Sequence, residues 1–350
     1  MSEFIHGGDI YSLQEEVLDF SANINPFGLP KKAKEALEKS MDTWCAYPDP
    51  FCRRLTQKLS EKIGVQQERI LFSNGAADIL YRLVYALKPK NALLLAPAFG
   101  EYELALKTVG CNISYHAVYE KDLFVLKEDI LKKITPNLDI LFLCNPNNPT
   151  GQPIQKQLME RIIKRCAEKQ VLLAVDECFV DFLENPQEYS VLSQIEKHPN
   201  LVILNAFTKL YGLAGLRLGY GIFGDTELLK KTAACAQPWG VSAPAQAAGL
   251  AALEDQEYLQ KTKKWLPDQR EYLASSLRRL GFTIYGSQAN YIFFKANNYR
   301  ELKEKLLEKR ILIRACENFR GLDNRFYRAA VRLPAENKKL IEAISEILKD

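Results

Sequence analysis

With 350 residues, 47% of them hydrophobic, the chain can bury a sizeable core, as one large domain or as two of unequal size. The net charge of +4, from 47 basic and 43 acidic residues spread along the chain, lacks the concentrated basic stripe of a nucleic-acid binder, so no nucleic-acid partner is expected. No apolar run reaches membrane-spanning length, and Glu3 and Asp9 break any signal-peptide pattern at the start, so neither a membrane partner nor a leader is expected.

The first 35 residues read as an amino-terminal arm that completes a later domain. Residues 36–240 alternate helical patterns with short apolar runs, which predicts an α/β domain around a mostly parallel sheet covered on both faces. The predicted strands are Ile70–Ser73, Ala92–Ala96, Ile113–His116, Ile140–Cys144, Leu172–Asp176, Leu201–Asn205 and Leu218–Ile222, with helices such as Gln152–Glu168 between them. That makes one seven-stranded sheet. Residues 241–350 change character: a long amphipathic helix over Gln246–Gly281, then Asn290–Phe294, Tyr299–Lys309 and a last helix from Glu336 predict a smaller α+β domain. The eight cysteines include no C-x-x-C pair, several sit in apolar runs, and reduced thiols in a cytoplasm, with no bound metal, are the expectation.

Four stretches carry chemistry. Ser73-Asn74-Gly75-Ala76-Ala77-Asp78 is a small-residue turn from strand to helix, where backbone N–H groups of Gly75, Ala76 and Ala77 are free to hold a phosphate. Asn145-Pro146-Asn147-Asn148-Pro149-Thr150-Gly151 is by default a turn before a helix. Leu173-Ala174-Val175-Asp176-Glu177 ends a buried strand in an aspartate that either caps the next element or faces a site. Asn205-Ala206-Phe207-Thr208-Lys209 runs on through glycine-rich apolar residues to Arg217, and a lysine in such a pocket is readily deprotonated to the neutral amine that Schiff-base chemistry needs. Taken alone, a lysine in such a place is more often a surface residue.

In order and spacing, Asn148, Asp176, Lys209 and Arg217 resemble the signature of fold-type I enzymes that use pyridoxal 5'-phosphate (PLP), the aspartate-aminotransferase fold family, over almost the whole chain. The resemblance implies that Lys209 holds the cofactor, Arg217 binds its phosphate, Asp176 keeps its pyridine nitrogen protonated and Asn148 bonds its 3'-oxygen. Gly75, Ala76 and Ala77 become its phosphate loop and Phe99 its stacking aromatic. Tyr47, in Tyr47-Pro48-Asp49-Pro50, becomes the residue that reaches the cofactor phosphate of a second subunit, so a homodimer is implied. Relatives usually carry serine three residues before the lysine; here that place is Ala206, and Thr208 is the candidate replacement.

Within the family the chain resembles the branch that includes histidinol-phosphate aminotransferases and threonine-phosphate decarboxylases. The decarboxylase pattern fits better at His6-Gly7-Gly8-Asp9, Asp19-Phe20-Ser21-Ala22-Asn23-Ile24-Asn25-Pro26, Gln237-Pro238-Trp239 and Arg328-Ala329-Ala330-Val331-Arg332. This implies a small phosphorylated amino acid as substrate, decarboxylation of L-threonine O-3-phosphate to (R)-1-amino-2-propanol O-2-phosphate, and a place in cobalamin biosynthesis. Arg328 takes the position of the family's α-carboxylate arginine, since a planar guanidinium can grip a carboxylate with two hydrogen bonds. Asn25 is carried over as a substrate contact, and Arg332 with Arg314, Arg320 and His6 is expected to form a cationic pocket for the phosphate. Phe179 stands where aminotransferases of the family usually place a tyrosine. The alternatives are a histidinol-phosphate aminotransferase, a phosphoserine decarboxylase, or a regulator that uses the fold as a ligand sensor.

Overall fold

The computed structural model describes residues 6–13, 15–297 and 299–349. The arm contributes strand β1 (Leu18–Asp19), and the large domain follows with β2 (Ile70–Ser73), β3 (Asn91–Ala96), β4 (Asn112–Ala117), β5 (Ile140–Cys144), β6 (Leu172–Asp176), β7 (Leu201–Ala206) and β8 (Gly219–Phe223). The sheet order is β2-β8-β7-β6-β5-β3-β4, and only β8 runs against the rest. This is the mostly parallel seven-stranded sheet that the apolar runs predict.

Every residue of β5, β6 and β7 is buried, because helices cover both faces of the sheet. Alternation then sorts the side chains. Leu141, Leu143, Leu173, Val175, Leu201 and Ile203 join one core, while Ile140, Phe142, Leu172, Ala174, Val202 and Leu204 join the core on the opposite face.

The small domain adds β9 (Thr283–Tyr285), β10 (Tyr291–Lys295), β11 (Ile311–Leu312), β12 (Arg314–Ala315) and β13 (Phe326–Ala330), with an antiparallel sheet in the order β12-β13-β10-β9. The arm joins this domain. β1 pairs in parallel with β11, the Phe20 N–H donates to Leu312 O at 2.7 Å, and the Ala330 N–H donates to Phe20 O at 2.8 Å.

Four helix bounds differ from the sequence expectation. The helix expected over Gln246–Gly281 is two, Ala243–Leu253 and Gln256–Arg279, because the Asp255 carboxylate accepts the Tyr258 N–H at 3.1 Å and starts a second helix. The final helix begins at Pro334, where Glu336 reaches back to accept the Leu333 N–H at 3.0 Å, so Glu336 caps the helix from within its first turn. The helix expected from Tyr299 covers Leu302–Glu308, and the one expected from Gln152 covers Lys156–Lys169.

Candidate active site

Parallel strands deliver their carboxyl ends to one edge of the sheet, and in folds of this kind ligands bind there. β2 ends at Ser73, β3 at Ala96, β5 at Cys144, β6 at Asp176 and β7 at Ala206. Beyond these ends lies a cavity of about 610 Å³, closed on its far side by the arm and by residues 314–328 of the small domain.

Asp176, 9% exposed, sits at the floor of the cavity. Its Oδ1 accepts the Cys178 N–H at 3.0 Å and its Oδ2 accepts the Tyr102 hydroxyl at 2.7 Å. Lys209 follows β7 in the short helix Phe207–Leu210, with Nζ 5.8 Å from the centre of the Phe179 ring. Burial, helped by the positive charges of Arg328 and Arg217, lowers the Lys209 amine to about 8. A neutral nucleophilic amine is therefore available near physiological pH.

Gly75 precedes the helix Ala76–Leu87 with φ of +90°, and a side chain there would place Cβ 2.7 Å from Arg217 Nη2. The close approach holds the Arg217 guanidinium against a helix amino terminus, so backbone N–H groups and a cation converge as a phosphate cradle needs. Gly219 allows β8 to pass behind it: a Cβ there would lie 2.3 Å from the Ala76 nitrogen. Ala76, Ala77, Thr208 and Phe99 line the same end of the cavity.

Arg328 is 6% exposed and joins three parts of the chain. From β13 its Nη1 donates to Asn148 Oδ1 at 2.5 Å and its Nη2 to Ser21 O at 2.8 Å. Asn148 is left with its amide N–H groups to donate into the cavity. Arg314 also lines the cavity, donating to Asn318 Oδ1 at 2.8 Å, and Arg320 lies over the Tyr115 ring at 4.0 Å and 3.4 Å from Glu103. His6 lines it from the arm, bonded to Glu101 and 5.4 Å from the Phe99 ring.

Three expected residues stand elsewhere. Asn25 does not line the cavity; its amide donates to Leu210 O at 2.9 Å and Thr262 Oγ1 at 2.8 Å, so it braces the Lys209 segment. Arg332 does not line it either, because Nη2 pairs with Glu336 at 2.7 Å and Nη1 donates to Asp19 O at 2.9 Å. Tyr47, 78% exposed, stacks on Trp239 at 4.2 Å and does not reach the cavity of its own chain.

Sequence reading passed over Asn23 and Tyr102. Asn23 is 2% exposed, lines the cavity, and both polar atoms of its side chain are buried with no hydrogen-bond partner in the chain. Such a group is costly unless a ligand satisfies it. The two asparagines of the arm are two residues apart, and only the fold decides which one faces inward.

The family described as aminotransferase class I and II matches residues 15–344. The chain is 37% identical to the threonine-phosphate decarboxylase of Salmonella typhimurium, over 98% of this chain and 96% of that one. Among solved structures it is similar to the histidinol-phosphate aminotransferase of Clostridium acetobutylicum (TM-score 0.90, 28% identity, 95% of this chain and 99% of that one). It is also similar to the L-threonine-O-3-phosphate decarboxylase of Porphyromonas gingivalis (TM-score 0.83, 27% identity, with the same coverage).

The lowered lysine gives a pH test. Apo-protein should capture PLP faster as pH rises, with a midpoint near 8, because the neutral amine predominates above that value. Arg328→Ala removes a charge that disfavours the protonated amine, so its midpoint should lie higher; stopped-flow absorbance across pH checks both.

Proposed function

The chain belongs to the class I and II aminotransferase family, and we propose that it uses PLP to decarboxylate L-threonine O-3-phosphate to (R)-1-amino-2-propanol O-2-phosphate and CO2. The observation that carries the substrate reading is a cavity with two separate cationic stations. Arg328 stands beside Asn148 and Lys209, and Arg314 stands on the small-domain side. A small amino acid with a carboxylate and a phosphate matches that pair.

The residues present fit PLP: a helix amino terminus with Arg217, a floor carboxylate, an aromatic wall at Phe99 and a lysine amine lowered to about 8. When bound, PLP supplies an electron sink for the pair left behind when a bond to the substrate's α-carbon breaks. Asp176, its two oxygens fixed by the Tyr102 hydroxyl and the Cys178 N–H, is placed to face the ring nitrogen. Arg328 binds the α-carboxylate with two parallel N–H groups and thereby orients it. Asn23 offers its unpartnered amide to the substrate, and Arg314 and His6 take the phosphate. Lys209 would hold the proton that returns to the α-carbon after CO2 has left. The arm and residues 317–322 line the cavity.

Phe179 favours decarboxylation over transamination on this reading. It presents a ring and no hydroxyl 5.8 Å from the lysine amine, packed edge-on against Tyr291 at 5.2 Å. The product serves cobalamin biosynthesis. We further propose a homodimer. Met41, Trp44, Tyr47, Phe51 and Trp239 are all exposed and Tyr47 stacks on Trp239, apolar surface that a second copy would cover, and that copy's cavity would receive Tyr47. The eight cysteines are unpaired, which suits a reducing cytoplasm, and no helix of the described residues is long and apolar enough to cross a membrane.

With PLP, the protein should release CO2 from L-threonine O-3-phosphate in the absence of any keto acid, and Lys209→Ala should lose the visible cofactor band. Glutamate–2-oxoglutarate exchange in place of CO2 release would instead mark an aminotransferase. Arg314→Ala should reduce kcat/KM for the phosphorylated substrate roughly ten- to a hundred-fold, the scale of one charge-assisted contact. Arg332→Ala should leave the preference for phosphorylated over free threonine intact and lower only thermal stability, because its partners are Glu336 and Asp19. Sedimentation at micromolar concentration should give a dimer, and Tyr47→Ala should weaken PLP binding while leaving the Lys209 band position unchanged.

A further inference from the structure

Asp78 puts a negative charge in the first turn of the helix that opens at the phosphate cradle. It belongs to Ala76–Leu87, and its Oδ2 reaches back to accept the Asn74 N–H at 2.9 Å. The helix gains from such an acid, which satisfies an open donor and complements the positive end of the dipole. An anionic ligand at the same helix end loses by it, because like charges repel. The turn also shows which donors are left for that ligand. The Gly75 N–H goes to Ser73 O at 2.8 Å, whereas the Ala76 and Ala77 N–H groups open the helix and have no partner within it.

Arg82, one turn further along, answers this conflict. Its Nε donates to Asp78 Oδ1 at 2.8 Å and its Nη2 to Oδ2 at 2.5 Å, so one edge of the guanidinium grips both carboxylate oxygens. A pair of this spacing on an open helix surface contributes little. Here the arginine is 6% exposed, and a side chain at Gly240 would place its Cβ 3.0 Å from Arg82 Nη2, so the guanidinium is packed against the 237–240 segment and held in place. Neither Asp78 nor Arg82 lines the cavity. They bear on it through the Asn74–Gly75 turn and through their charges.

We propose that Arg82 is a positioning residue for cofactor binding: it cancels the charge of Asp78, so the turn keeps its hydrogen bond while the cradle stays cationic toward the PLP phosphate. The proposal rests on the reading of this helix end and Arg217 as the phosphate cradle. Asp78 shapes the turn and Arg82 neutralises Asp78. Arg217, whose hydrogen bond goes to the neutral Ala214 O at 3.4 Å, keeps its charge for the phosphate.

Titration of the apo-protein with PLP and with pyridoxal, which lacks the phosphate, separates charge from structure. Arg82→Gln leaves Asp78 unopposed and should raise the Kd for PLP roughly ten-fold at low salt, the scale of one partly screened charge near a dianion. The Kd for pyridoxal should hardly change, and the loss for PLP should shrink as salt is added. Arg82→Lys keeps the charge and should keep most of the affinity. Adding Asp78→Asn to Arg82→Gln removes the unopposed charge and leaves an oxygen for the Asn74 N–H, so PLP binding should recover although a second residue has changed. A purely structural role predicts that PLP and pyridoxal lose affinity together, that the melting temperature falls with them, and that the double variant binds no better than Arg82→Gln. That pattern overturns the proposal. Should Arg82→Gln fail to fold, Asp78→Asn alone carries the test: with Arg82 intact the preference for PLP over pyridoxal should rise, and an unchanged or lower preference overturns the proposal. Arg217→Ala is the control for the cradle. If it leaves that preference untouched, the cradle assignment fails and the proposal falls with it; a preference lost in Arg217→Ala but kept in Arg82→Gln overturns the proposal alone.

Discussion

A buried guanidinium with no carboxylate partner sets the design of the site. Arg328 is 6% exposed, and among the described residues no acidic side chain lies within ion-pair distance of it. Its contacts are the neutral oxygens of Asn148 and Ser21 and the face of Tyr291, and its Nε is buried without a partner. Dipoles of this kind offset only part of the desolvation cost of a cation, which burial alone pushes toward deprotonation. Such a charge is held where an anion is meant to complete it. Arg332, by contrast, is only half-buried and has Glu336 as a counter-charge, so it marks no ligand site.

The same guanidinium explains why the cavity needs the whole chain. Asn148 belongs to the large domain, Ser21 to the arm and Arg328 to the small domain, so the network forms only when all three meet. A second cross-domain contact supports it. Lys295 of β10 pairs with Glu120 of the large domain at 2.7 Å, and Tyr285 of β9 donates to the same carboxylate at 2.5 Å. Asn25 then ties the arm to the Lys209 segment, its N–H donating to Lys209 O at 3.0 Å. The arm is therefore a clasp: Asn23 faces in, and Asn25, two residues on, is spent on the backbone around the lysine.

Much of this was legible before any coordinates. Ile140–Cys144 and Leu172–Asp176 read as strands with their true ends because a strand buried on both faces is an unbroken apolar run, and its end is the first polar residue that a site can use. Lys209, Asp176, Asn148 and Arg217 stand out because their order and spacing resemble the family's signature, and the fold brings all four to one cavity. The rest depends on tertiary neighbours. Nothing local separates Asn23 from Asn25; they differ in that Asn25 meets Leu210 O and Thr262 Oγ1 while Asn23 has no hydrogen-bond partner in the chain. Arg332 differs from Arg314 by a local signal, Glu336 four residues on, which pairs with it, while Arg314 donates to Asn318 at the cavity wall. Asp255 could have been read as a helix start, yet the apolar pattern on either side of it runs on without a break, and a single long helix is the simpler reading of that pattern. Tyr102 carried no polar signal, because its hydroxyl acts at the end of a ring that is otherwise core.

The charges also bear on the order of events at Lys209. In the free site the amine is lowered to about 8 by burial first, then by Arg328 and Arg217. On the proposed reading the substrate carboxylate binds Arg328 and cancels part of that field, so the amine becomes a better base at the stage when it must take up and hold a proton. When the carboxylate departs as neutral CO2, the full charge of Arg328 returns, and the protonated amine becomes a stronger acid just as the α-carbon requires a proton. A transaminase keeps its carboxylate on the substrate throughout and gains no such change. On that reading an arginine buried without a counter-charge, close enough to the lysine to shift it, couples the loss of CO2 to the return of the proton.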